Sequence, residues 1–95
     1  MSRNKEVENE VRDVVNRIRQ EREKQGYSQM DLALKAGISQ GYLGHIETFR
    51  KVPTIATIIK LAKALEIDPS LFFKDKDSDR EKSKNEILEK IRKEL

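Results

Sequence analysis

Apolar residues recur every three or four positions along most of this chain, and period-two alternation is scarce, a pattern that predicts helices rather than strands. Val7, Val11, Val14, Val15 and Ile18 form one apolar stripe on a highly charged helix over residues 5–25, and their intervals also fit a short a/d seam. Gly26 ends that helix, as a glycine just past a helix C-terminus commonly does. Ser28 is placed to cap a second helix, with Asp31 in the acidic position of a capping box. Gly37 stops it. Ser39 caps a third helix, which runs to about Thr48. Residues 49–53 read as a loop, because Pro53 disfavours helix in the residue before it. Thr54 caps a fourth helix, whose expected buried face is Ile55, Ile58, Ile59, Ala62 and Leu65. Asp68-Pro69 is a start signal, an N-cap acid followed by proline, for a short closing helix of Ser70, Leu71, Phe72 and Phe73.

Beyond that point the pattern changes. Residues 74–84 are almost purely charged and polar, which marks a boundary. Ser78 and Glu81 have the spacing of a capping box, and Ile87, Leu88, Ile91 and Leu95 then share one helical face. The expected division is an N-terminal helix extension over 1–10, a domain over 11–73, a charged linker over 74–78 and an amphipathic helix over 79–95. The tail face is too apolar to stand bare in water. It packs either on its own domain, against Val7, Val11 and Val14, or on a partner chain, and the partner is the expectation.

Composition narrows the class. In 95 residues, 36% are hydrophobic and 39% charged, which suits one small helical core with charged flanks. There is no cysteine, so disulfides and thiolate metal sites are excluded, and no run of the sequence approaches membrane-span length. A cytoplasmic protein is the expectation. The net charge of +3 permits phosphate binding without demanding it. No nucleophile–base pair, metal-ligand spacing or phosphate-binding glycine loop is present, so neither catalysis nor a cofactor is expected, and the single histidine argues against a metal site.

The segment 29–48 meets the demands of a helix-turn-helix in turn. Ala33 supplies the small residue where two helices cross. Gly37 supplies the positive φ of the turn. Leu43 and Ile46, with Ile38 just before, anchor the second helix to the core, while Gln40, Gly41, Gly44 and His45 face outward. With these residues in place the chain resembles the phage-repressor and Cro-like, or XRE-type, helix-turn-helix regulators. The resemblance runs over about residues 12–73, through Ile18-Arg19-Gln20-Glu21-Arg22, Gly26-Tyr27-Ser28-Gln29, Leu32-Ala33, Ala36-Gly37-Ile38-Ser39, Tyr42-Leu43, Ile46-Glu47, Pro53-Thr54, Leu61-Ala62-Lys63-Ala64-Leu65 and Leu71-Phe72.

That resemblance implies an all-α, five-helix, lambda-repressor-like DNA-binding domain, here with an extended first helix and an extra C-terminal one. It implies that Gln29 bonds a phosphate and braces Gln40, and that Ser28, Ser39, Gln40, Gly41, Tyr42 and His45 lie at the DNA surface. Arg50 and Lys51 then contact phosphates, and Arg22 pairs with Glu47 to join the first helix to the end of the reading helix. Gln40 is the candidate base reader, because its amide can bond adenine N6 and N7 together. His45 either faces a base or fills an exposed face. Gly41 and Gly44 either admit the DNA backbone or carry no role. Where the family pattern often has glycine after the reading helix, this chain has Thr48-Phe49. Phenylalanine resists the left-handed conformation, so a differently built loop is expected.

The function implied is a sequence-specific transcriptional regulator, a repressor acting as a homodimer on a near-palindromic operator. Leu71, Phe72 and Phe73, or the tail face Ile87, Leu88, Ile91 and Leu95, are the candidate dimer contacts. An antitoxin or adaptor whose C-terminal helix binds another protein is the alternative.

Overall fold

The computed structural model describes residues 2–73, and within them every regular element is helical. Helix α1 spans Ser2–Lys24, α2 Gln29–Ala36, α3 Gln40–Glu47 and α4 Ile55–Ala64, followed by a 3-10 turn, Pro69–Phe73. The fifth helix expected from the sequence is this single 3-10 turn, and the segment 79–95 with Ile87, Leu88, Ile91 and Leu95 lies outside the described residues.

The starts are legible in the capping residues. The hydroxyls of Ser28, Ser39 and Thr54 accept the backbone N–H of Asp31, Tyr42 and Thr57. Asp31 returns the bond to the Ser28 N–H and completes a capping box. These backbone and hydroxyl donors hold the Asp31 carboxyl below the usual carboxylate range, and Ser70 does the same for Asp68.

The helix ends share one device. Within two residues past the end of each helix one residue takes positive φ: Gly26 at 78°, Gly37 at 72°, Phe49 at 63° and Glu66 at 59°. At each, the amide of that residue and the next reach back to two carbonyls of the last turn, in the pairing of a Schellman motif. Thus Gly26 and Tyr27 bond Glu23 and Arg22; Gly37 and Ile38 bond Leu34 and Ala33; Phe49 and Arg50 bond Ile46 and His45; Glu66 and Ile67 bond Lys63 and Ala62. Tyr27, Ile38 and Ile67 then pack on the core, the apolar contact that accompanies this motif. The exit of α3 differs, because Arg50 follows its stop and is exposed. The expectation of a differently built loop after Thr48 is therefore corrected. Phe49 adopts the left-handed conformation that glycine usually fills, at a cost of about 1–2 kcal/mol. The Arg12 guanidinium lies 4.6 Å from the centre of its ring.

The core joins Val14 and Ile18 of α1, Leu32, Ala33 and Ala36 of α2, Leu43 of α3, Ile58, Leu61, Ala62 and Ala64 of α4, Leu65 and Phe72. Two sequence expectations fail here. Ile55 and Ile59 are not in the buried face of α4; Ile55 is 75% exposed, and the face rotates to Thr57, Ile58, Leu61, Ala62 and Ala64. Phe72, offered as a dimer contact, is a core residue at 2% exposure, while Leu71 and Phe73 on either side remain exposed. Two side chains, one on α1 and one just past its end, cap the assembly. Arg17 Nη1 donates to the Phe72 carbonyl at 3.0 Å, and Gln25 Nε2 to that of Leu65 at 2.8 Å.

Candidate nucleic-acid interface

The α2 and α3 helices meet across the turn at Gly37, and this crossing sets Gln29, the first residue of α2, against one strip of α3. Gln40, Gly44 and Glu47 stand at i, i+4 and i+7, so they share that strip. Gly44 has no side chain there, and a Cβ on it would lie 3.4 Å from Gln29 Oε1. That is an ordinary van der Waals contact, so a small side chain at position 44 would touch the Gln29 amide without displacing it. Gly41, by contrast, faces open space.

A hydrogen-bonded chain runs through this strip. Arg22 grips Glu47 with two bonds, Nε to Oε2 at 2.8 Å and Nη2 to Oε1 at 2.9 Å, and gives Nη1 to the Tyr27 carbonyl at 2.7 Å. The ion pair expected between Arg22 and Glu47 is thus present and buried. Gln29 Nε2 donates to Glu47 Oε1 at 3.2 Å, and Gln40 Nε2 donates to Gln29 Oε1 at 3.2 Å. The chain begins in the interior and ends at Gln40, which is exposed.

Around Gln40, the outer face of α3 presents Ser39, Gly41 and His45 to solvent, and the following loop presents Arg50 and Lys51. Leu43, Ile46 and Glu47 take the inner face. Tyr42 stands between the two. It is half-buried, its hydroxyl lies 3.3 Å from Thr57 Oγ1 on α4, and Lys51 Nζ sits 5.9 Å from its ring centre. Ser28 and Ser39 each commit a hydroxyl lone pair to capping. Sequence reasoning missed the Gln29–Glu47 bond, although the i, i+4, i+7 spacing of Gln40, Gly44 and Glu47 was there to be read. It also missed Thr57 as the partner of Tyr42, and nothing local to either residue signals that contact.

The helix-turn-helix family signature matches residues 18–72, well over half of the chain. The chain belongs to the XRE-type, Cro-like helix-turn-helix family. It is 36% identical over 66 residues to the transcriptional regulator SutR of Escherichia coli (strain K12), a match covering 70% of this chain and 37% of that one. The chain thus spans little more than a third of that relative's length. Among solved structures, the restriction-modification controller C.AhdI of Aeromonas hydrophila superposes with a TM-score of 0.63 at 33% identity, over 66% of this chain and 96% of the other. The DNA-binding domain of SinR from Bacillus subtilis gives 0.63 at 32%, over 68% and 96%. SinR has also been solved in complex with DNA and in complex with the protein SinI. The relatives are regulators rather than enzymes. Among the described residues no helix is long and apolar enough to cross a membrane, and no cluster of His, Asp or Glu has metal-binding geometry.

Proposed function

We propose that this protein is a sequence-specific DNA-binding transcriptional regulator, with α3 as the helix that enters the major groove. The observation that carries the reading is the Gln29–Gln40 amide pair, which holds a hydrogen-bonding edge at the exposed N-terminal end of α3; two exposed cations, Arg50 and Lys51, stand in the loop that follows the helix. Phosphate contacts from the loop position the module, and the amide edge reads a base. SinR, a relative with a superposable domain, has been solved bound to DNA.

One such module spans few base pairs, so the protein acts as a two-fold dimer on a near-palindromic operator and represses by occluding a promoter. Exposed Leu71 and Phe73, or the tail segment 79–95, supply the dimer contact. Selection of bound sequences from random duplex tests the whole reading. The expected product is an inverted repeat, and replacing Gln40 with Ala relaxes one position in each half-site, at about 1–3 kcal/mol per contact. Equal affinity for every duplex at physiological salt overturns it. Solution mass with and without residues 79–95 tests the dimer, and a monomer in both refutes it.

A second reading, an antitoxin or adaptor whose tail holds another protein, is supported by the SinR–SinI complex. A tight complex with a different protein that disappears when residues 79–95 are removed favours it.

A further inference from the structure

We propose that Glu47, buried and away from the reading surface, selects the base that Gln40 accepts. It does so by fixing the amide sense of Gln29 and, through it, that of Gln40, so that adenine is read in preference to guanine. The proposal rests on the DNA-reading function above.

A carboxylate only accepts hydrogen bonds. Both Glu47 oxygens accept from Arg22, and Oε1 also accepts from Gln29 Nε2. A reversed Gln29 would bring its carbonyl oxygen against a carboxylate oxygen at the same 3.2 Å, with Glu47 only 4% exposed. Two acceptors facing each other in a low-dielectric site repel, and the Gln29 donor pair would be left without this partner. Glu47 therefore holds the NH₂ of Gln29 toward itself and turns the carbonyl toward Gln40.

The same logic carries one step outward. Gln29 Oε1 can only accept, so Gln40 meets it with Nε2, at 3.2 Å. That uses one of the two N–H groups of Gln40. The free edge of the amide then carries one N–H and one carbonyl oxygen. Adenine shows the complement in the major groove, an acceptor at N7 and a donor at N6. Had the relay run the other way, Gln40 would accept from Gln29 and present two N–H groups, which match the two acceptors of guanine, N7 and O6. The polarity of one buried group thus decides between the two purines.

The test compares equilibrium binding of the full chain to two duplexes. One is the selected site, and the other has the A·T pair read by Gln40, identified as the position that Gln40→Ala relaxes, replaced by G·C. The wild type is expected to favour adenine about tenfold or more, the size of one bidentate contact. In Gln29→Ala and in Glu47→Gln the amide sense is released, and the ratio is expected to fall to within about threefold, from that same contact strength. Removal of a bond from Gln29 to phosphate, or a general loosening of the fold, lowers both affinities alike and cancels in the ratio. An unchanged ratio in Gln29→Ala overturns the proposal, and Gln29→Ala decides alone if Glu47→Gln does not fold. A wild type without sequence preference, or a Gln40→Ala variant that relaxes no position, overturns the DNA-reading function itself and is thereby distinguished.

Discussion

Replacing Glu47 with alanine removes the carboxylate that joins α1 to the end of α3, and the structure sets the size of the effect. The side chains of Arg22 and Glu47 are 11% and 3% exposed, so the pair is shielded from water and salt. In the variant, Arg22 keeps the Tyr27 carbonyl at Nη1 but is deprived of its partners at Nε and Nη2. Glu23, 3.7 Å from Nη2 and largely exposed, offers little in exchange. Gln29 is deprived of an acceptor as well. Breaking one side of a buried pair costs about 3–5 kcal/mol, because a charge stays behind without its partner. The midpoint of thermal unfolding is expected to drop by at least about 12 °C, at 4–8 °C per kcal/mol for a domain of this size. The double variant Arg22→Met, Glu47→Leu is expected within about 1 kcal/mol of wild type, since it removes the desolvated charges together. Urea unfolding followed by far-UV circular dichroism, at low salt and in 1 M NaCl (a nearly complete screen for exposed pairs), measures all three proteins. A destabilisation of less than about 1 kcal/mol in Glu47→Ala, or a difference that 1 M salt abolishes, refutes the shielded pair.

Three further outcomes are expected. Glu66→Gly relieves a left-handed residue at the end of α4 and should raise stability by about 0.5–1 kcal/mol, after the extra unfolded-state entropy of glycine is subtracted, as read from the urea midpoint. Asp31, held below its ordinary range by the Ser28 amide, stabilises the fold above about pH 4 and ceases to do so as pH falls through its lowered value; Asp31→Asn should therefore be less stable than wild type at neutral pH and converge with it in acid. Lys51→Ala should weaken binding to every duplex alike and reduce the slope of log affinity against log salt by about one, and a weakening confined to one sequence would contradict a phosphate contact.

Local chemistry makes much of the fold legible. Ser28, Ser39 and Thr54 announce helix starts by their side chains, and Gly26 and Gly37 announce ends by the φ they tolerate. Phe49 and Glu66 do the same work without the signal. Their left-handed backbone is imposed by two returning amides at each helix end, and tertiary closure outweighs residue preference there. Helical periodicity also does not say which face of α4 meets α2, so it puts Ile55 and Ile59 inside, where the structure has Thr57. The same ambiguity puts Phe72 on the surface with its neighbours. At the site, Gln29, Gln40 and the Arg22–Glu47 pair are visible through resemblance, but the Gln29–Glu47 bond joins residues 18 apart and exists only once α2 and α3 cross.

The division of α3 into two faces has a consequence for how such a protein can change its target. Gln40, Gly41 and His45 stand outside the core, whereas Leu43, Ile46 and Glu47 belong to the buried framework. Under the DNA-reading function proposed above, mutation at the first three explores new operators with little penalty to folding, so a lineage or a designed library can drift in specificity along a nearly flat stability landscape. The polar relay adds one tether to that freedom: a new residue at position 40 inherits the acceptor that Gln29 already presents, so side chains able to donate to it begin with an advantage.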